Sequence, residues 1–168
     1  MAALLGADEA QADAACAAAP DACWLANDNA PGQLVIAGTE PGLARATDAA
    51  KALGVKKVVR LDVDGAFHTP IMQAAADGLG LATAGVEFKA PLVPVVSNAD
   101  AVACTDGDGW PARLVDHLVC AVLWRQSLDT LVGLGADTFV EVGPGRVLTG
   151  LARKCRPDVA TELAPVPA

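Results

Sequence analysis

The sequence predicts an α/β protein in two parts: a ferredoxin-like unit over residues 1–62 and, over 63–156, elements of a larger α/β sheet. Three observations carry that prediction. Short β-prone runs alternate with helical runs in the order β-α-β-β-α-β before residue 62, which is the split βαβ order. The pattern changes after 62, where helices dominate and no common unit closes. The 168 residues are 53% hydrophobic, enough for a sizeable core.

In order, MAALL is a strand, and a helix starts at Asp8 with Gln11 placed to complete a capping box. CWLAN and QLVIAG are strands joined by the turn-rich NDNAPG. A second helix spans 40–53, with Thr39 as N-cap and Gly54 beyond its end, and KKVVRLDV is the fourth strand. In the second part, Thr69 and Pro70 open a helix and VPVVSN contains a strand. A Gly/Asp-rich loop at 105–109 precedes two helices spanning 111–134. DTFVEVGPGRVLTGLARK then supplies a strand, a Gly-Pro-Gly turn and a helix. Residues 157–168, rich in Pro and Ala, are expected to be a flexible tail.

Composition excludes several classes of function. A net charge of −8 argues against nucleic acid as a partner. No run approaches the ~18 apolar residues of a membrane span, and no basic segment leads into an apolar one as in a secretory signal. The five cysteines form neither a C-x-x-C pair nor a metal-like spacing, so they read as reduced thiols of a cytoplasmic protein.

His68, in DGAFHTP, is one of two histidines and immediately precedes a helix start. An imidazole there suits a general base, and equally suits a polar residue at a turn. The two serines, Ser97 and Ser127, lack the flanking glycines of a nucleophile elbow. GPG at 143–145 reads as a packing turn rather than a phosphate site. The carboxylates read as solvated faces and the tryptophans as core or rim.

MAALLG, NDNAPGQLVIAGT, KKVVRLDVDGAFHTPIM, PVVSNAD and DTFVEVGPGRVLTGLARK follow one another as in malonyl-CoA:acyl-carrier-protein transacylases of the bacterial fatty-acid-synthase type. The resemblance covers about 1–156 and is to the C-terminal half of that family. It implies a ferredoxin-like small subdomain (1–62) and the C-terminal part of an α/β-hydrolase-like large subdomain (63–156). It implies malonyl transfer from coenzyme A to acyl carrier protein, with malonyl-CoA and the phosphopantetheinylated carrier protein as substrates and no metal or redox cofactor. His68 matches the family's catalytic histidine, and Phe67 an aromatic associated with malonyl selectivity. Asn29 and Gln33 match a hairpin lining the cleft between subdomains. His117 falls where a glutamine usually stands, whose main-chain carbonyl orients the catalytic imidazole, and Ala121 replaces a usual proline.

The serine-bearing elbow, the oxyanion segment and the malonate-clamping arginine of the family all precede the matched region. The expectation is therefore a fragment, begun at an internal methionine, whose partner is the N-terminal half and which is inactive alone. Two other readings remain: a fragment of a polyketide-synthase acyltransferase, and a non-catalytic ferredoxin-like binding module.

Overall fold

Strand β1 (Ala2–Leu5) sits inside a four-stranded antiparallel sheet because both of its edges are taken. It pairs with β3 (Gln33–Gly38) on one side and β4 (Lys57–Arg60) on the other, with β2 (Cys23–Ala30) outside β3. The computed structural model describes residues 1–165. Period-2 alternation gives the sheet two buried faces. Ala2, Leu4, Leu34 and Ile36 face helices α1 (Glu9–Ala17) and α2 (Glu40–Ala52), where Ala12, Ala15, Leu43, Ala46 and Ala50 complete one core. Ala3, Ala26, Val35 and Ala37 line the other face, against Met1, Leu5, Val59, Leu61 and Ala66. Small residues let α2 lie close to the chain before β2. A Cβ on Gly42 would strike the carbonyl of Ala22.

Local chemistry sets the helix starts. Gln11 N donates to Asp8 Oδ1 (2.8 Å) and Asp8 N to Gln11 Oε1 (3.0 Å), a complete capping box. Gly42 N donates to Thr39 Oγ1 at 3.1 Å. Gly54, at φ +85°, turns the chain out of α2.

Two strands differ from their expected lengths. β2 runs through Asn27–Ala30 and leaves only Pro31 and Gly32 for the turn. Its polar residues stay extended because the outer edge of β2 is bonded: Asp28 N donates to Val122 O and Val122 N to Ala26 O, both at 2.9 Å. Register shifts between Leu25 and Asn27 and between Asp28 and Ala30 bend the strand. β4 stops at Arg60 rather than reaching 63, since β1 offers no further partner. Its last tie is Leu61 N to Met1 O, 3.0 Å.

The second part packs on β2. A single 3₁₀ turn (Pro70–Met72) leads into α3 (Gln73–Thr83), which packs against α4 (Trp110–Val119). Between them, β5 (Val95–Val96) and β6 (Ala103–Cys104) form a short antiparallel pair. α5 (Trp124–Gly133) lies against β2, then β7 (Thr138–Glu141) and α6 (Val147–Cys155) follow.

The expectation of a flexible tail over 157–168 is corrected. Residues Ala160–Leu163 form β8, parallel to β7, with Thr138 opposite Ala160 and Glu141 opposite Leu163. α6 returns the chain beside β7, whose backbone groups then bind the next segment. Arg153 Nε fixes that segment by donating to Thr161 Oγ1 at 2.7 Å. Residues 166–168 of the expected tail lie outside the described residues. Val140, Val142 and Val147 remain exposed beside β7, and Val140, Val142, Leu148, Trp124 and Phe139 line a cavity of about 350 Å³ there. No described helix is long and apolar enough to cross a membrane.

Candidate active site

The loop after β4 carries the candidate base. Ala66 packs under the sheet, and the Phe67 ring folds over Gly65, where a Cβ would sit 2.9 Å from Phe67 Cζ. Phe67 remains exposed. His68 then adopts φ +61°, the left-handed region that a branched or bulky residue avoids unless its surroundings hold it there.

Those surroundings are Thr69 and α4. Thr69 is fully buried, and Thr69 Oγ1 donates to Ala66 O at 2.6 Å. Its hydroxyl makes no N-cap bond, contrary to the sequence expectation; the threonine closes its own tight turn and Pro70 opens a 3₁₀ turn. From the other side, His68 Nδ1–H donates to His117 O at 2.7 Å. A carbonyl can only accept, so Nδ1 carries a proton, and in the neutral ring Nε2 holds the lone pair.

The acceptor is available because α4 ends abruptly. Cys120 leaves the helix in an extended conformation (φ −112°, ψ 155°), so the last carbonyls of α4 lack intrahelical donors. One of these orphaned oxygens is that of His117. The His117 side chain also meets His68, with ring centroids 4.9 Å apart and planes tilted by 36°. His117 Nε2 is buried without a partner. Burial, and to a lesser degree the charge of His68, holds the His117 imidazolium below its ordinary range.

Asn29 and Gln33 stand elsewhere on the β2–β3 hairpin and turn toward α6. Cys155 Sγ donates to the main-chain oxygen of Asn29 at 3.3 Å, and Lys154 Nζ to Gln33 Oε1 at 2.7 Å. Their polar contacts do not reach the histidine pair. Beside the His68 loop, a cavity of about 610 Å³ is lined by Met1, Gly38, Glu40, Arg60, Asp62 and Ala66 among others.

The chain's two serines are poor nucleophiles. Ser127 is buried and donates to Leu123 O at 2.7 Å, while buried Ser97 accepts from Ala99 N at 3.2 Å. The GPG turn leads into α6, but that helix start already holds an anion: Glu141 accepts from Thr149 N at 2.8 Å and Leu148 N at 3.2 Å. The Thr149 bonds hold the Glu141 carboxyl below its usual range. Among the described residues, no group of three or more His, Cys, Asp or Glu is arranged to bind a metal ion.

Sequence reasoning missed one polar centre. Asp28 was expected on a solvated face but is buried. It accepts from Arg125 Nε (3.1 and 3.0 Å), Arg125 Nη2 (2.7 Å) and Gln126 Nε2 (2.7 Å), and Arg125 also meets Glu9. Burial, with the nearby charge of Asp129, raises the Asp28 carboxyl, against the pull of the Gln126 amide. The signal lay in the strand's alternation. Ala26, Asp28 and Ala30 share the buried phase of β2, and a carboxylate there requires a cation.

No family model matches the chain. The malonyl CoA-acyl carrier protein transacylase of Escherichia coli K12 is 40% identical over 156 residues, which are 92% of this chain and 50% of the relative. The crystal structure of the Xanthomonas oryzae malonyl-CoA:acyl carrier protein transacylase superposes with TM-score 0.92 at 36% identity, covering 99% of this chain and 54% of that one. A type II polyketide acyl-carrier protein in complex with its malonyl-transacylase gives TM-score 0.92 at 34% identity, covering 97% and 53%. The chain thus spans about half the length of the relatives it matches. By sequence and by fold, it is homologous to the C-terminal half of the malonyl CoA-acyl carrier protein transacylases.

Proposed function

We propose that this chain supplies the general base and one wall of the acyl cleft of a malonyl-CoA:acyl-carrier-protein transacylase whose serine is carried by an N-terminal half. The observation that carries the reading is the 2.7 Å bond from His68 Nδ1–H to His117 O, which leaves Nε2 free to accept a proton. His68 Nε2 takes the serine proton as the hydroxyl attacks the malonyl thioester. Coenzyme A takes that proton from His68 and leaves as its thiol, a serine ester remains, and His68 is neutral again. The phosphopantetheine thiol of an acyl carrier protein then gives its proton to His68 and attacks the ester, and the proton returns to serine. The relative in complex with its acyl-carrier protein supports that partner. The chemistry requires no metal or redox cofactor.

In this reading residues 1–62 are a ferredoxin-like small subdomain, supported by their β-α-β-β-α-β order and sheet order β2-β3-β1-β4. Residues 63–156, with β8 added, belong to an α/β-hydrolase-like large subdomain. Phe67, exposed beside His68, restricts the acyl group, while Asn29 and Gln33, bonded to α6, border the cleft between subdomains at a distance from His68. The soluble substrates suit a cytoplasmic site.

Covalent catalysis requires an exposed nucleophile within about 2.6–3.2 Å of its base. The test is intact-mass spectrometry after incubation with malonyl-CoA. The chain alone forms no adduct. Joined in one polypeptide to the N-terminal half of the Escherichia coli relative, it gives a malonyl adduct on that half's serine. An adduct on Ser97, Ser127 or a cysteine of the isolated chain, lost in His68→Ala, would overturn the reading.

A further inference from the structure

We infer that the side chain of His117, and not only the main-chain oxygen beside it, is a positioning residue for His68, its flat ring forming the wall that fixes the plane of the His68 imidazole. The inference rests on His68 being the base. One hydrogen bond fixes one atom. With the ring tethered at Cβ and bonded at Nδ1 to His117 O, it can still rock about the line through Cβ and Nδ1, and Nε2, off that line, rocks with it. A second contact is needed to fix the direction of the Nε2 lone pair.

The His117 ring stands where such a contact is required, 4.9 Å from the His68 ring and tilted by 36°. It is carried by α4, which packs against α3 and the 3₁₀ turn that follows His68. Burial also keeps that ring uncharged, so it sets no like charge against the imidazolium that His68 becomes on accepting a proton. Carbonyl and ring belong to one residue in the last turn of α4, so the helix delivers both constraints as a rigid pair.

The chain has two histidines, so its imidazole resonances are two sets only. Nitrogen-15 NMR of the imidazoles reports which ring nitrogen of His68 carries the proton, and carbon relaxation reports how far the ring swings. Neither depends on catalytic activity. In the wild-type chain His68 shows the Nδ1–H form and a rigid ring. His117→Phe keeps the flat wall and the backbone oxygen, and His68 retains both properties. His117→Leu fills similar volume without a flat face. There His68 shifts toward a mixture of the two neutral forms, with ring motion increased at least twofold. Wild-type behaviour of His68 in His117→Leu, or equal disturbance in the Phe and Leu variants, would overturn the inference. Normal acyl transfer by a His68→Ala transferase would instead remove the base reading and leave these spectra unchanged.

Discussion

Asp28 on β2 and Arg125 on α5 form a two-pronged ion pair between residues 97 apart in the chain, with Nε bound at 3.0 Å and Nη2 at 2.7 Å to the same carboxylate oxygen. The carboxylate is enclosed while the guanidinium is partly open to water. The pair sits on the strip where the two parts of the molecule share backbone bonds, next to the link between Asp28 N and Val122 O.

Removing Arg125 leaves a buried carboxylate with only the Gln126 amide. Arg125→Met is expected to destabilise the fold by about 3 kcal/mol, the low end for breaking a buried pair. Urea denaturation should show a lower midpoint. A loss below about 1 kcal/mol would mean that water reaches Asp28 and replaces the guanidinium.

The His68 prediction concerns rate rather than stability. In the chain joined to a transacylase N-terminal half, His68→Ala should lower kcat by about 10²–10⁴-fold, the range of a general base. Malonyl-CoA binding, measured by calorimetry, should change little. Unaltered turnover would reduce His68 to a turn residue.

Thr69 holds the backbone on which His68 sits. Thr69→Val keeps the shape and removes the donor to Ala66 O, costing about 1–3 kcal/mol if that oxygen stays dry. Because φ +61° at His68 depends on the same turn, kcat in the joined enzyme should fall as well. Thr69→Ser keeps the hydroxyl and should restore the rate. A Ser variant as slow as Val would show that the methyl group, not the hydroxyl, supports the turn.

His117 makes stability depend on pH. Its folded imidazole binds protons less readily than the unfolded one, whose ordinary value is 6.5. As pH falls below that value, the unfolded chain takes up a proton first, so stability present at pH 7 is lost through the folded pKa. His117→Phe has no such group. The difference in denaturation midpoint between the two proteins should shift in favour of Phe from pH 7 toward pH 5. A pH-independent difference would show that His117 is not desolvated.

Much of the first part was legible because its signals are local. Asp8 with Gln11, Thr39 with Gly42, and Gly54 each mark a helix end within four residues of its start or stop. What escaped was decided by distant partners. The run Asn27–Ala30 looked like a turn, and Val122 made it a strand. The segment Ala160–Leu163 looked like a tail, and β7 made it a strand. Thr69 had the sequence of a cap, but the carbonyl of Ala66 claimed its hydroxyl. At the site, His68 stood out by its place before a helix start and His117 through family resemblance, while the contact between their rings needed three dimensions. Asp28 was hidden because the cation that admits it lies in α5.

The bond from Leu61 N to Met1 O has a consequence for modularity. It places the first strand's start and the last strand's end side by side, 3.0 Å between donor and acceptor. A unit whose ends lie one hydrogen bond apart imposes almost no span on the chain that hosts it. Span is therefore not what ties such a unit to its surroundings. What binds this sheet is β2, whose outer edge bonds Val122 and whose Asp28 takes its cation from Arg125, so the sheet cannot be lifted out without stranding a buried carboxylate.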